Sequence, residues 1–401
     1  MLQVADALAR ILALVTPAGA EEVPLAEAAG RVLRADAVAQ RDQPPFAASA
    51  MDGYAVRAAD AVAGARLRLT GAAKAGAGGT RTVGPGEAVR IFTGAPVPEG
   101  ADAILIQENA NRASSPGEGE TVEVVEPPTP WAFIRPAGMD FASGFRLAAP
   151  RRLNPRELAL LAAMNAARVR VSRRPVVALI PTGDELVAPG ETPGPGQIVS
   201  SNDIGLAAML AAAGAAPRRC PIARDDRASL LAALEAAQGA DFIVTLGGAS
   251  VGEHDLVAEV LSGAGLELDV TTVAMRPGKP LMAGRIGGRV MLGLPGNPVS
   301  ALVCAEVLLR PAIDAALGLP AGPRATRMAF LGHDLPANGP REHYMRAVVD
   351  LAADGLMRCE VAENQDSSLL AVLARANALA VRPAHAPAAR AGSPIGYIKL
   401  D

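Results

Sequence analysis

Carboxylates and cationic side chains stand beside short glycine and proline turns in this 401-residue chain. The residues in this setting are Asp52, Asp140, Glu185, Asp225, Asp255, Arg276 and Lys279. Carboxylate oxygens close to a phosphate-binding turn favour a hard cation such as Mg²⁺. Paired cationic side chains favour an oxyanion. The residue types therefore point to phosphate chemistry with a divalent cation and a second anion.

A phosphate-type turn is predicted within residues 241–255, which read DFIVTLGGASVGEHD. The apolar run Phe242–Leu246 is typical of a strand buried on both faces of a parallel sheet. The turn that follows contains Gly247, Gly248, Ser250 and Gly252. Because a helical pattern begins at Leu256, backbone N–H groups and a helix N-terminus are expected to point at an anion.

Two of the carboxylates also have a simpler structural interpretation. Asp255 precedes the Leu256 helix, and Asp225 and Asp226 precede a helix predicted from about Ala228. An aspartate in such a position caps the helix and stabilises it by ~1 kcal/mol. From spacing alone, capping is the favoured role of Asp255 and of Asp225 or Asp226.

Residues 174–318 alternate short apolar runs with helical patterns, which predicts a doubly wound sheet with ligands at the carboxyl ends of its strands. One polar turn follows the strand Val176–Pro181 and contains Thr182, Gly183, Asp184 and Glu185. Another follows the strand Val290–Leu294 and contains Pro295, Gly296, Asn297 and Pro298. Asn297 is predicted as an N-cap with Pro298 in the first helical position. These turns should share one rim of the sheet.

The N-terminal segments before and after residues 41–144 are predicted to be helical. Val4, Leu8, Ile11 and Val15 mark one face of an amphipathic helix. A second short helix is predicted over 23–39. A third is predicted over 154–167, with an asparagine cap and a proline in the first helical position.

The two remaining regions favour strands. Between residues 60 and 145 the strand patterns are Arg66–Thr70, Glu87–Phe92, Ala103–Gln107 and Thr121–Val125. Thr93 and Asp140 lie in loops rich in glycine and proline, and Asp52 lies in an Asp-Gly turn that is equally consistent with an ordinary turn. Residues 324–401 again contain short strand patterns.

The predicted fold is therefore α/β plus β domains in an elongated multidomain chain. A doubly wound α/β domain spans 174–323, and a small barrel-like β-domain spans 324–401. The N-terminal helical and linking domain comprises 1–40 and 145–173, and a β-rich domain is inserted over 41–144.

Composition excludes several classes of protein. The net charge of −3 provides no basic field for nucleic acid. Cys220, Cys304 and Cys359 form no C-x-x-C pair, so neither a disulfide framework nor a cysteine zinc site is indicated, and a reducing cytoplasm is expected. No run reaches the ~18 apolar residues of a membrane span. Asp6 and Arg10 interrupt the first apolar stretch, which is not a signal peptide.

Six motifs in order resemble the molybdopterin molybdenumtransferases, the molybdate insertases of bacteria and plants and of the gephyrin E domain. They are PPFAASAMDGYAV, IFTGAPVPEGADAILIQE, PTGDEL, GGASVGEHD, RPGKP and LPGNPVSA. The resemblance covers essentially the whole chain. It implies that the α/β domain binds molybdopterin. Two departures are Arg276, where the family often has lysine, and Ala47, where it often has an acidic residue.

The resemblance implies a reaction in which molybdate is inserted into adenylylated molybdopterin and AMP is released. The glycine turn would bind phosphate together with Thr182, Gly183, Asp184 and residues 295–298. The implied catalytic residues are Asp52, Thr93, Asp140, Glu185, Asp225, Asp255 and Lys279. Asp52, Glu185 and Asp255 would hold Mg²⁺. The implied molybdate residues are Arg276, Lys279, Arg346 and Ser368.

The resemblance also implies a homodimer, in which the cleft lies between the α/β domain of one subunit and the N-terminal part of the other. Transient contacts with the molybdopterin adenylyltransferase and with apo-molybdoenzymes or their chaperones are expected. Two alternatives remain open from the sequence. One is an adenylyltransferase, although such enzymes are usually a single α/β domain; the other is an inactive scaffold of the same fold.

Overall fold

The structure is a computed structural model that describes residues 1–76, 82–115, 119–248 and 256–400. Ser250 and Gly252 of the predicted glycine turn, and the candidate carboxylate Asp255, lie outside the described residues. Within the described ranges no helix is long and apolar enough to cross a membrane.

Short helices and short strands make up the described chain. The helices are α1 (Val4–Leu14), α2 (Pro155–Ala163), α3 (Asn202–Ala212), α4 (Arg227–Ala236), α5 (Leu256–Gly263), α6 (Pro298–Cys304), α7 (Arg310–Ala316) and α8 (Leu370–Arg375). Single 3₁₀ turns cover Leu25–Glu27 and Gln107–Asn109, and a π-helical turn, Ala305–Leu309, joins α6 to α7.

The strands of the first half are β1 (Ala20–Pro24), β2 (Val32–Leu33), β3 (Ala37–Val38), β4 (Ala48–Ser49), β5 (Gly53–Val56), β6 (Arg66–Ala73), β7 (Glu87–Ile91), β8 (Ala103–Ile106), β9 (Ala110–Ser115), β10 (Gly119–Val124), β11 (Ile134–Arg135), β12 (Arg146–Leu147), β13 (Arg151–Arg152) and β14 (Arg168–Ser172). Those of the second half are β15 (Val176–Pro181), β16 (Leu186–Val187), β17 (Ile198–Val199), β18 (Ala216–Arg219), β19 (Phe242–Leu246), β20 (Leu266–Thr272), β21 (Met275–Arg276), β22 (Pro280–Ile286), β23 (Arg289–Leu294), β24 (Arg327–Leu331), β25 (Glu342–Leu351), β26 (Met357–Val361), β27 (Ala378–Arg382) and β28 (Pro394–Lys399).

The N-terminal part combines helices with a small sheet of order β1-β14-β2-β13. The predicted α1 is present, and its Val4, Leu8 and Ile11 are buried. The prediction of a helix over 23–39 is wrong, because this segment forms strand pairs around one 3₁₀ turn. Gly30 has a φ of 69°, a left-handed conformation that ends any helix there. The predicted α2 is confirmed with its complete capping box at Asn154 and Glu157.

The inserted β-rich part is a six-stranded sheet of order β8-β5-β7-β6-β10-β9. The four strands predicted there are all present. Strand β9, which pairs with β10 along its whole length, was not predicted from the sequence. Its polar residues, ANRASS, give no apolar alternation from which a strand could be inferred.

The α/β part confirms the predicted alternation. Its sheet has the order β18-β15-β19-β23-β22-β20, parallel from β18 to β23 and antiparallel beyond it. Every residue of β19 is buried, as expected of a strand covered on both faces. Because β15, β19 and β23 are parallel neighbours, their carboxyl ends meet at one edge, where the predicted turns lie.

The C-terminal part is a five-stranded barrel. The strands follow the order β25-β26-β24-β28-β27, and β27 pairs with β25 to close the ring. The short strand β21 from the α/β part adds to the outside of β25 in parallel, with Arg276 opposite His343. This pairing ties the RPGKP segment of the α/β part directly to the barrel.

Candidate functional site

A cavity of about 720 Å³ lies at the carboxyl edge of the central parallel strands. It brings together the turns after β15, β19 and β23, which contribute Thr182, Glu185, Gly248 and residues 295–298. Ser368 and Leu370 of the C-terminal part also line it. The cavity therefore lies between the α/β part and the barrel. Its polar rim and backbone turns suit a phosphorylated ligand.

The backbone N–H groups of this edge are less available to an anion than the sequence suggests. The Gly247 N–H donates to the Leu294 carbonyl at 3.0 Å, and the Gly183 N–H donates to the Ala223 carbonyl at 3.0 Å. Both groups continue the sheet beyond its strands. Of the described glycines of the predicted turn, Gly248 is therefore the one whose N–H remains as a candidate phosphate donor.

Close packing explains two of the glycines at this edge. Gly247 has a φ of 111°, and a Cβ there would lie 2.7 Å from the Thr182 carbonyl oxygen. A Cβ on Gly183 would lie 2.3 Å from a carboxylate oxygen of Glu185. The missing side chain at 183 thus leaves the space in which the Glu185 carboxylate sits, beside the cavity.

Arg224 holds the turn that carries Glu185, a contact that sequence reasoning missed. Its Nη1 donates to the carbonyls of Asp184 at 3.1 Å and Leu186 at 3.0 Å, and lies 3.5 Å from that of Gly183. A guanidinium that bonds several carbonyls fixes the path of a loop. The one available signal was the position of Arg224 directly before a candidate carboxylate, which says nothing about the turn 40 residues earlier.

The helix-capping question at residues 225 and 226 has a definite answer. The Asp226 side chain accepts the Ser229 N–H at 2.8 Å and is the N-cap of α4. The exposed Asp225 does not cap it; its N–H donates to the Asp184 carboxylate at 3.1 Å. Asp184 is thereby used in joining two loops, and the Asp225 carboxylate is left for another role.

Asp52 and Thr93 form a separate pair in the β-rich part. The Thr93 N–H and hydroxyl both donate to Asp52 Oδ1 at 2.8 Å. These bonds, the backbone one foremost, hold the pKa of Asp52 below its usual value. The next residue, Gly94, lines a cavity of about 580 Å³ together with Arg135 and Asp140. This cavity shares no residue with the one that Glu185 lines.

The four predicted molybdate residues do not lie in one cavity. Arg276 and Lys279 are exposed, and Arg276 lines a third cavity of about 630 Å³ in the barrel. Arg346 is fully buried; its Nη2 donates to the Asp366 carbonyl at 2.9 Å, whereas its Nε and Nη1 have no partner among the described residues. Ser368 donates its hydroxyl to the Asp366 carboxylate at 2.6 Å and lines the 720 Å³ cavity.

A segment of the barrel also closes over the start of α6. Asn297 stands at the N-cap position as predicted, but its side chain does not cap the helix. Its amide donates instead to the Ser367 hydroxyl at 2.9 Å, and the Val299 N–H donates to the Ser367 carbonyl at 3.2 Å. The predicted N-cap position of Asn297 is therefore confirmed together with Pro298 at the first helical position, but a partner from the C-terminal part, and not the Asn297 side chain, satisfies the helix end.

No group of three metal-binding side chains is found among the described residues. Of the predicted metal ligands, Asp52 lies in the β-rich part and Glu185 in the α/β part, and Asp255 lies outside the described residues. Glu185 and Asp225 are both exposed carboxylates on the joined loops. Their oxygens are the donor class that Mg²⁺ prefers, with substrate phosphates completing its coordination.

Three family profiles match the chain in succession. The "MoeA N-terminal region (domain I and II)" matches residues 2–165. The "Probable molybdopterin binding domain" matches 178–315, and the "MoeA C-terminal region (domain IV)" matches 329–400. The order of the three profiles follows the order of the sheets described above.

Whole-chain relatives give the same result. The molybdopterin molybdenumtransferase of a Nostoc species is 37% identical over 375 residues, which cover 90% of this chain and 85% of the relative. The molybdopterin molybdenumtransferase 2 of Mycobacterium tuberculosis is 40% identical over 341 residues, covering 82% and 83%. The crystal structure of a molybdopterin biosynthesis MoeA protein from Pyrococcus horikosii matches with a TM-score of 0.84 and 30% identity, covering 100% of this chain and 99% of that one.

Proposed function

Because the chain belongs to the MoeA family of molybdopterin molybdenumtransferases, enzymes of molybdenum cofactor biosynthesis, we propose that it inserts molybdate into adenylylated molybdopterin and releases AMP. The observation that carries this proposal is the 720 Å³ cavity at the carboxyl edge of the parallel strands. It combines glycine and proline turns suited to phosphate with an exposed carboxylate, Glu185. Thr182, Gly248 and residues 295–298 would contact the pterin phosphate and adenylate.

Cationic groups where the α/β part meets the barrel support molybdate as the second substrate. Lys279 is exposed on the segment that pairs with the barrel through Arg276. Two buried nitrogens of Arg346, Nε and Nη1, have no partner in the described part of the chain, and an oxyanion would satisfy them. Its Nη2 bonds the loop that carries Ser368, so a shift of that loop would connect Arg346 to the cavity. We assign the molybdate dianion to Arg276, Lys279, Arg346 and Ser368.

Mg²⁺ would be held by Glu185 and Asp225 on the two joined loops, with Asp255 as a further ligand. A divalent cation there offsets the negative charge of the phosphoanhydride and positions it for attack. Arg224 and Asp184 have a supporting role, since their hydrogen bonds set the relative position of these two loops.

A second copy of the chain would complete this site. Asp52, Thr93 and Asp140 are assigned to catalysis, yet they belong to the N-terminal half of the chain. Asp140 and Gly94, the residue after Thr93, line a cavity that shares no residue with the Glu185 cavity. A homodimer that places the β-rich part of one subunit over the α/β part of the other brings both sets together. The ionised Asp52 carboxylate would then contribute as a ligand of Mg²⁺ or orient the attacking water. Transient contacts with the adenylyltransferase and with apo-molybdoenzymes would deliver the substrate and accept the product.

The test is an AMP-release assay with the purified chain, adenylylated molybdopterin, molybdate and Mg²⁺. AMP and active cofactor should form together. Asp52→Ala should lower AMP release roughly 10²-fold or more, the usual effect of removing a group that acts in the chemical step. Lys279→Ala should raise the molybdate concentration required for half-maximal rate. An enzyme that instead consumes ATP and molybdopterin, with no requirement for molybdate, would refute the proposal.

A further inference from the structure

The cavity of about 580 Å³ beside the Asp52–Thr93 pair combines apolar walls with two side chains of opposite charge, Arg135 and Asp140. We call it the Asp140 cavity. Its apolar walls come from Pro44, Pro45, Phe46 and Met139. A space of this size with a few polar groups among apolar walls is typical of a small-molecule site, in which the polar groups fix the orientation of the ligand.

Both charged side chains are available to a ligand. Arg135 and Asp140 are exposed, and neither side chain has a hydrogen bond or an ion pair to any described residue. Although their charges have opposite sign, they do not pair with each other. A molecule that carries donors and acceptors along one edge would satisfy both at once, through charge-assisted hydrogen bonds.

Backbone hydrogen bonds join the two loops on either side of the Asp140 cavity. The Asp140 N–H donates to the Gln43 carbonyl, and the Gly138 N–H donates to the Pro44 carbonyl, both at 2.9 Å. These bonds fix the carboxylate against the loop that carries Phe46. A site whose parts are held in place before the ligand arrives loses less entropy on binding.

The apolar walls are unusually open to solvent. Phe46 is 41% exposed and Met139 is 65% exposed, although both are large apolar side chains. Exposed apolar surface beside a cavity is typical of a ligand-binding groove. Aromatic and thioether side chains make favourable contacts with the faces of planar rings. The Asp140 cavity therefore suits a flat ring system with a polar edge.

Of the two ring systems in adenylylated molybdopterin, the pterin matches the charged pair better. Its 2-amino group and its ring N–H are adjacent donors, which one carboxylate accepts together, and its 4-oxo group is an acceptor for a guanidinium. The corresponding edge of adenine pairs one donor with one acceptor, and a carboxylate provides no donor for that acceptor.

We propose that the Asp140 cavity binds the pterin ring of the substrate. Asp140 accepts the 2-amino group and the ring N–H, Arg135 donates to the 4-oxo group, and Phe46 and Met139 pack on the ring. This inference rests on the proposed function for the identity of its ligand, and it deepens that function by making Arg135 and Phe46 determinants of ring specificity. The phosphate end of the same molecule would lie in the Glu185 cavity of the second copy.

Titration of the full chain with 6-hydroxymethylpterin, followed by the fluorescence of the ring, tests the proposal without turnover. Asp140→Asn exchanges one acceptor for a donor and should weaken binding at least about tenfold, because a hydrogen-bonding site discriminates strongly against a mismatched partner. Arg135→Gln should weaken binding to a similar extent. Arg41→Gln is the matched control, since it removes an exposed guanidinium that does not line the cavity, and it should bind as the wild type does. Unfolding midpoints check that each variant is folded.

Competition with nucleosides tests whether the edge of the ring is recognised. Guanosine presents the same adjacent donors and oxo group as the pterin and should displace it, whereas adenosine should not. Equal displacement by both nucleosides would overturn the proposal, as would wild-type affinity in folded Asp140→Asn or failure of the wild type to bind the pterin. Tighter binding of guanosine than of the pterin would overturn the choice of ring.

AMP release separates this inference from the proposed function. Arg135→Gln should raise the substrate concentration for half-maximal AMP release by a larger factor than it lowers the maximal rate, because it removes a binding contact. The opposite split would refute the ring assignment and leave the proposed function standing. A chain that binds the pterin with the expected variant pattern but releases no AMP would refute the proposed function and support the Asp140 cavity as a pterin site.

Discussion

At the scale of single residues, the contact between Thr93 and Asp52 is the most informative for chemistry. Two donors from Thr93 meet the same carboxylate oxygen, Oδ1, and no described residue donates a hydrogen bond to the second oxygen. The lowered pKa keeps this carboxylate charged to a more acidic pH than an ordinary aspartate. Thr93, whose role the sequence left open, therefore serves to orient and ionise Asp52.

Replacing Thr93 by alanine removes the hydroxyl donor and leaves the backbone donor. The pKa of Asp52 should rise, because hydrogen bonds to the charged form are what lower it. As pH falls, the variant should lose AMP release at a higher pH than the wild type. Its rate at neutral pH should fall roughly tenfold because the carboxylate is less well oriented. The measurement is the pH profile of AMP release.

Thr93→Ser is the matched control, since it keeps the hydroxyl and deletes only a methyl group. It should retain the wild-type acid limb. Equal shifts in both variants would mean that the methyl group or the loop, and not the hydroxyl, sets the behaviour of Asp52.

At the scale of elements, two neighbouring residues at the start of α4 have different roles. Asp226 stabilises the helix as its N-cap, whereas Asp225 is assigned to the active site. Asp226→Ala removes the N-cap bond to Ser229 and should lower the free energy of unfolding by ~1 kcal/mol. Asp225→Asn keeps the N–H that Asp184 accepts and should leave stability unchanged. AMP release should show the reverse order, with Asp225→Asn the more damaging. A large activity loss in Asp226→Ala, with Asp225→Asn fully active, would exchange the two assignments.

The same elements show why prediction from sequence succeeded in some places. The apolar run of β19 and the capping residues of α2 can be recognised from neighbouring residues in the sequence alone, and both elements were predicted correctly. The helix predicted over 23–39 failed because one glycine with positive φ outweighs the helical spacing of its neighbours. Strand β9 has no apolar alternation and forms because β10 pairs with it.

The candidate site, like the fold, was predictable only in part from the sequence. The turns after the parallel strands follow from the fold, since parallel neighbours end at one edge. What the turns bond to does not follow, because the partners are distant in sequence: Arg224 contacts the Glu185 turn, and Ser367 of the barrel satisfies Asn297 and Val299. The split of the molybdate residues between cavities likewise depends on how the α/β part packs against the barrel, which pairs Arg276 with His343 and places Ser368 at the other cavity.

At the scale of the whole molecule, we expect that Asp52 and Glu185 need a second subunit to act in one site, because the cavity next to the Asp52–Thr93 pair shares no residue with the cavity that Glu185 lines. Each active site of such a dimer would combine Asp52 of one protomer with Glu185 of its partner. A symmetric pairing of this kind makes two equivalent sites, each built from both chains. A monomer would then be inactive even when correctly folded.

Mixing two inactive variants tests this arrangement. Asp52→Ala and Glu185→Ala should each be inactive alone, because every site in either homodimer lacks one carboxylate. After unfolding and refolding together, half of the dimers contain both variants and one of their two sites is intact. Activity should then recover to about a quarter of the wild-type value if the subunits pair at random.

The control is a mixture of Glu185→Ala with Asp225→Ala, whose changes lie in the same α/β part. Glu185 and Asp225 of any one site come from the same subunit. Every site of the mixed dimer therefore lacks one of these two carboxylates, and this mixture should stay inactive. No recovery in the first mixture, despite dimers of normal size, would show that Asp52 and Glu185 act within one chain. Recovery in the control would show that Glu185 and Asp225 do not act in the site of the same subunit.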